Sequence, residues 1–398
     1  MRRNLLIALL LLVTVPLFAQ RRGGEHVSVY AGGRYSHILD GHGLYQDLVS
    51  SYDTGGAGVQ VGFHSHPSDS SWWANAFNYP TVAVGFSWNH TGGLAFRDMS
   101  RLGDFYNLYG RAQFDIVRAG WFSFGPALEV GIAFTPKYFQ YISNPLNKFI
   151  GSPVEGYLGG GMEFKFMLHP QWQLSLDVTL IHHSDGMTRV PNWGINEVTA
   201  GAGIRYFLSP VPDMKRIKLD KPDFPKGLRW NVYTSVAVHA CDTERKAQAK
   251  QAENGEITLT DKLNVPPRIR AIVGVEAVYR YSRMFSTGIG VEGMYAANRY
   301  RETDLILEGR EDPKGYSPFF ASVFLTQEFH YDRLSIHAQF GVYAFKRTGL
   351  TEDIGRCFQR IGIRYHVPRC GGLYLGFDMR THKFDRSYCL EPHVGYTF

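Results

Sequence analysis

From Trp172 to Leu180 the chain alternates oily and polar residues. Trp172, Leu174, Leu176, Val178 and Leu180 share one parity, and Gln173, Ser175, Asp177 and Thr179 share the other. A period of two puts the two sets on opposite faces of a β-strand. The same pattern recurs along the chain. Val82, Val84, Phe86 and Trp88 stand against Ala83, Gly85 and Ser87; Phe122, Phe124, Leu128, Val130, Ile132 and Phe134 against Ser123, Gly125, Glu129 and Gly131. Later, Ile269, Ala271, Val273, Val275 and Tyr279 oppose Arg268, Arg270, Glu276 and Arg280, and Leu373, Leu375, Phe377 and Met379 oppose Tyr374, Asp378 and Arg380. About eight such strands precede residue 209 and about eight follow it.

A soluble sandwich also alternates, because each sheet buries one face and wets the other. The polar faces here, however, mix Arg, Lys, Glu and Asp with glycine inside single strands, as at Glu163 and Lys165 beside Gly159. Opposite charges lining an interior, with the oily face turned to lipid, produce that mixture. The strands run to roughly ten residues or more, the length of a tilted membrane crossing. Connections alternate as well: short turns at 117–121, 168–172, 281–285, 330–334 and 366–370, and long polar loops at 135–155, 241–266 and 297–316. Only 65–78 is long where a short turn is due. The expected fold is therefore all-β, an antiparallel transmembrane β-barrel of the outer membrane with about sixteen strands in total. The stretch 209–227 is rich in Pro and Lys and lacks alternation, so it reads as a linker on the short-turn, periplasmic side. It separates a first half, 20–208, from a second, 228–398. Closure removes free edges in one ring or two; one large barrel running through the linker is the favoured arrangement over two barrels.

Composition adds little to the pattern but excludes some classes. The mean hydropathy of −0.20 suits a barrel as well as a soluble protein, since only every second strand residue meets lipid. Residues 1–19 have the layout of a secretory signal peptide: Arg2 and Arg3, an apolar run from Leu5 to Val13, and Leu17-Phe18-Ala19 before Gln20. A membrane anchor is the other reading of that stretch, though it falls short of the ~20 apolar residues a spanning helix wants. Without Arg2 and Arg3 the formal charge drops from +6 to +4, with no basic run, so nucleic acid is not indicated as a partner. Cys241, Cys357, Cys370 and Cys389 allow three disulfide connectivities. No CxxC pair or Cys/His spacing suggests zinc, and neither a metal nor another cofactor is expected. The ending "EPHVGYTF" resembles the C-terminal aromatic signal by which bacterial barrels are recognised by the outer-membrane assembly machinery. The oligomeric state is not encoded in any feature of the sequence.

The candidate chemistry sits at the end of the first stripe. Continuing its oily parity gives His182 and then Ser184, so a base and a nucleophile would meet the acyl-ester region of the outer leaflet. His183 has interior parity. After a loop, Asn196, Val198, Ala200, Ala202, Ile204 and Tyr206 resume the oily parity, which returns Asn196 beside His182.

The segment "HHSDGMTRVPNWGIN" resembles the active-site segment of the outer-membrane lipid A 3-O-deacylase, or acyloxyacyl hydrolase, family, in the extended form seen in Bacteroidetes-type chains. That family carries His-x-Ser, then Pro-Asn, Gly-Ile and an acidic residue, matched here by His182, Ser184, Pro191, Asn192, Gly194 and Ile195. The resemblance covers roughly 25–208. It implies an esterase acting on lipid A or a related glycolipid, with Ser184 attacking the ester carbonyl and His182 moving the proton. No metal or cofactor is implied. Two positions depart from the family. Its acidic third member falls on Asn196, with Glu197 as a possible alternative acid if a bulge turned it outward. The residue after the serine, an Asn in the family thought to bind the oxyanion, is Asp185; Gly186 and Met187 are the other oxyanion candidates, through their backbone N–H groups. The rival reading is a non-catalytic structural or channel barrel that keeps a degenerate segment.

Overall fold

A computed structural model describes residues 26–39, 52–69, 71–224, 226–261, 265–352, 354–384 and 386–398. The expected signal peptide lies outside the described residues. Eight long strands form in the first half: β1 (His26–Ile38), β2 (Asp53–His64), β3 (Thr81–His90), β4 (Phe105–Gln113), β5 (Phe122–Phe134), β6 (Val154–His169), β7 (Trp172–Ser184) and β8 (Ile195–Phe207). Eight follow in the second: β9 (Gly227–His239), β10 (Arg268–Arg280), β11 (Phe285–Ala296), β12 (Phe319–Tyr331), β13 (Leu334–Phe345), β14 (Cys357–His366), β15 (Leu373–His382) and β16 (Arg386–Thr397).

The hydrogen bonds close each set on itself. All pairs are antiparallel between neighbours in the chain, β1 pairs with β8, and β4 pairs directly with β5. In the second half β9 pairs with β16, Asn231 opposite Thr397 and Val238 opposite Leu390. The expectation of a single sixteen-stranded ring is therefore corrected: the chain makes two closed eight-stranded barrels. The edges of β1 and β8 satisfy each other, as do those of β9 and β16, so neither set keeps an open edge to offer. Residues 210–224 and Lys226, in the expected linker, carry no regular structure.

The two faces of the strands separate as the alternation requires. On β7, Trp172, Leu176, Val178 and Leu180 are 39–57% exposed, whereas Gln173, Ser175 and Thr179 are buried. On β9, Leu228, Trp230, Val232, Val236 and Val238 face outward, and Asn231, Tyr233, Ser235 and His239 are buried. An oily exterior around a polar interior is the reverse of a soluble protein, and lipid is the solvent that suits it.

The interiors carry many buried charged and aromatic side chains. In the first barrel Arg111 bridges Glu129 and Glu163, Lys165 lies 2.7 Å from Asp115, and Tyr157 donates to Glu129 at 2.5 Å. Above them Phe96, Leu102, Phe105, Tyr109, Phe149 and Ile150 pack into an apolar plug supplied partly by the long loops. In the second, Arg360 and Arg380 converge on Glu292 at 2.5 and 2.6 Å. Charges buried this deeply persist because each is paired.

The loops differ from expectation in one respect. Helices α1 (Trp72–Ala76), α2 (Asp242–Glu253) and α3 (Tyr300–Glu308) occupy stretches read as irregular. The sequence of α2, "DTERKAQAKQAE", is polar all round, so it shows no apolar stripe, yet it is built from strong helix formers.

Candidate active site on the outer wall of the first barrel

β7 carries the site because its alternation continues unbroken to its end. Its register with β8 runs from Trp172 opposite Tyr206 to His182 opposite Asn196 and His183 opposite Ile195 without a shift. On the other side, His182 stands opposite Leu158 and Ser184 opposite Gly156 of β6. His182 and Ser184 therefore share the outward face with Leu180, which is 57% exposed. Across the strand pair, His182 Nδ1 lies 2.7 Å from Asn196 Oδ1. The amide oxygen only accepts, so Nδ1 carries the proton and Nε2 keeps its lone pair.

His183 points the other way. It is fully buried, stacked on Phe105 with ring centroids 4.2 Å apart, with Nε2 at 3.0 Å from Asn107 Oδ1. Glu197 is also on the inner face: it is fully buried, accepts from Asn89 Nδ2 at 3.1 Å, and lies 3.6 Å from His183 Nδ1. The alternative of Glu197 as the acid behind His182 is corrected by this placement. Turning it outward needs a bulge, and the register of β7 with β8 contains none.

Gly194 explains one motif glycine. It adopts φ +73°, and a Cβ there would stand 2.8 Å from His182 Cε1. Its N–H donates to Phe149 O at 2.9 Å, which fixes the backbone against the imidazole edge. Gly194→Ala should therefore combine left-handed strain of ~1–2 kcal/mol with displacement of the His182 ring. The expected result is a drop in turnover of roughly tenfold to a hundredfold, with heat-modifiable gel migration of the folded barrel retained. Unchanged turnover would mean that the ring position does not matter.

Asp185 is buried and lies close enough to the buried Glu155 for the two carboxylates to repel. Gly186 and Met187 follow with φ of 63° and 64°, two left-handed residues in succession. All four cysteines are free thiols. A cavity of about 880 Å³ opens in the first barrel, lined by residues such as His64, Arg118, Lys165, Gln173, Arg205 and Lys215. It lies at the short-turn end, the opposite end of β7 from Ser184.

Comparison with known proteins bears on the second half. Residues 250–398 match the family described as acyloxyacyl hydrolase, C-terminal domain. Over those residues the chain is similar to that family. The match spans the barrel from α2 onward and leaves out the His-x-Ser segment. Among solved structures, Neisserial surface protein A is similar at 12% identity, with 46% of this chain and 99% of that chain covered and a TM-score of 0.31. The outer membrane enzyme PagL is similar at 17%, with 45% and 97% covered and a TM-score of 0.28. A mutant of the Rh. blastica porin is similar at 10%, with 94% and 100% covered and a TM-score of 0.20. A search of curated proteins found no match.

Proposed function

We propose that the protein is an outer-membrane serine esterase that removes an ester-linked (3-hydroxy)acyl chain from lipid A or a related glycolipid of the outer leaflet. The observation that carries this reading is the His182–Asn196 hydrogen bond on the lipid-facing wall, two residues from Ser184 on the same face. Ser184 would attack the acyl carbonyl. His182 Nε2 would take the serine proton and return it to the leaving sugar oxygen, while Asn196 holds the ring in that tautomer. Water then repeats the cycle on the acyl-enzyme. Asn196 brings no charge to the imidazolium, so it orients the ring more than it stabilises it.

The surroundings fit an amphiphile. Gly156 and Gly160 of β6 carry outward parity, opposite Ser184 and Leu180 on one side and Ile132 and Leu128 of β5 on the other. They lower the surface on either side of Leu158, which is 43% exposed and offers an acyl chain an apolar contact beside His182. A substrate drawn from lipid needs no enclosed pocket, since the membrane itself desolvates the ester.

The weak point of the machinery is Asp185, where a carboxylate would repel the oxyanion that the N–H groups of Gly186 and Met187 would serve. One oxyanion donor is worth about 10²–10³ in rate. Asp185→Asn should therefore raise deacylation by about tenfold or more, and it also removes the repulsion with Glu155. Rates are to be measured on purified lipopolysaccharide in detergent; a fall would show that Asp185 serves another purpose.

A further inference from the structure

The second barrel holds a cluster that no step of the proposed esterase uses. At the end of β9, a ring nitrogen of His239, the Cys241 sulfur and a Glu352 carboxylate oxygen all lie within 4.8 Å of one another. His239 and Cys241 are buried. They are two residues apart at the strand end, and Glu352 arrives from the β13–β14 loop, 111 positions further on. Cys241 Sγ is 2.7 Å from Glu352 Oε2, and Thr243 Oγ1 is 2.9 Å from the sulfur and 2.8 Å from the same carboxylate oxygen.

The imidazole is held as a ligand is held. His239 Nδ1 lies 2.5 Å from the Tyr388 carbonyl oxygen. A carbonyl only accepts, so Nδ1 carries the ring proton and Nε2 is left as the lone-pair nitrogen. Metal-bound histidines keep their second nitrogen in this way, which fixes the tautomer and the ring orientation. Thiolate, imidazole and carboxylate together are a donor set for zinc, and three protein ligands leave a fourth position to water or to the neighbouring threonine. Tetrahedral bonds of about 2.0–2.3 Å put ligand atoms about 3.3–3.8 Å apart, so the cluster needs a separation of sulfur and carboxylate by about 1 Å.

Charge decides between this cluster and another. The buried guanidinium of Arg270 acts electrostatically on Glu352 and opposes a cation, but thiolate and carboxylate outnumber it. Glu328, His330 and His366 also converge in this barrel. There, however, His330 Nε2 is engaged by Ser286 Oγ at 2.5 Å, and Glu328 by Arg364 at 3.5 Å and Ser335 at 2.6 Å. His330 and His366 also feel the guanidinium groups of Arg280 and Arg229. Those partners leave it little for an ion.

We propose that His239, Cys241 and Glu352 form a zinc-type site at the rim of the second barrel. Binding replaces the thiol S–H with a metal–sulfur bond, the proton leaves to solvent, and Glu352 binds as the carboxylate. No electron is exchanged. The ion would clamp the β13–β14 loop to the start of α2.

The test uses the full-length protein in detergent, titrated with Co²⁺ alone and then with Zn²⁺. The expected result is one Co²⁺ per chain with a thiolate-to-cobalt absorption band, displaced by Zn²⁺. The band should vanish in Cys241→Ser and weaken strongly in Glu352→Gln, which preserves shape, and stay intact in Cys370→Ser, whose exposed thiol is elsewhere. Zn²⁺ should also shield Cys241 of the unaltered protein from alkylation, read by peptide mass spectrometry, so a poorly folded variant does not decide the matter. Absence of the band, its survival in Cys241→Ser, or alkylation of Cys241 unaffected by Zn²⁺ overturns the proposal. None of these readouts depends on esterase activity.

Discussion

Ser184→Ala should abolish deacylation. The hydroxyl is the only group on the outer face of β7 beside His182 that could form an acyl-enzyme, and removing such a nucleophile typically costs ~10⁴-fold or more in rate. Mass spectrometry of lipid A from cells that express either form reads the effect directly. Cells with the unaltered protein should lose one hydroxyacyl chain, and cells with Ser184→Ala should keep it while inserting the same amount of folded barrel. Should the variant still remove the chain, Ser184 is not the nucleophile. Identical, fully acylated spectra from both would remove the esterase reading and leave the non-catalytic barrel.

The largest expected loss of stability comes from the interior of the second barrel. Glu292 accepts from Arg360 at 2.5 Å, Arg380 at 2.6 Å, Tyr233 Oη at 3.0 Å and Ser322 Oγ at 2.9 Å. Arg360 and Arg380 are both fully buried. Glu292→Ala leaves their guanidinium groups crowded together with Glu391 as their nearest remaining carboxylate. Stranding a buried charge by removing its partner costs about 3–5 kcal/mol. Urea unfolding in lipid vesicles, followed by loss of the heat-modifiable gel band, should show this loss; a change below about 1 kcal/mol would mean that water enters the interior and screens the pair. Glu292→Gln keeps two acceptor–donor contacts and should fall between.

The alternation of β7 made the outer placement of His182 and Ser184 legible before any coordinates, because parity converts directly into a face. It also made Asn196 legible, since β8 resumes the same parity after the loop. The same reasoning fixed His183 and Glu197 as interior residues. What parity does not encode is which strand edge meets which. Sixteen similar strands are compatible with one ring or two, and the choice depends on β1 finding β8 and β9 finding β16 across more than 150 residues. Helix α2 was hidden for a different reason: the residues it buries, Glu244 and Ala247, form no apolar stripe, so it leaves no periodic trace.

Short-range order along the chain thus determined the strands, their faces, the lipid-facing exterior and the His-x-Ser-to-Asn constellation, because each depends on neighbours within a few residues or on a motif read in sequence. Tertiary structure alone decided the closure into two barrels, the pairing of each buried charge, and the meeting of Glu352 with His239 and Cys241. Those depend on contacts between residues far apart in the chain, whose energies are set by geometry that no local pattern carries.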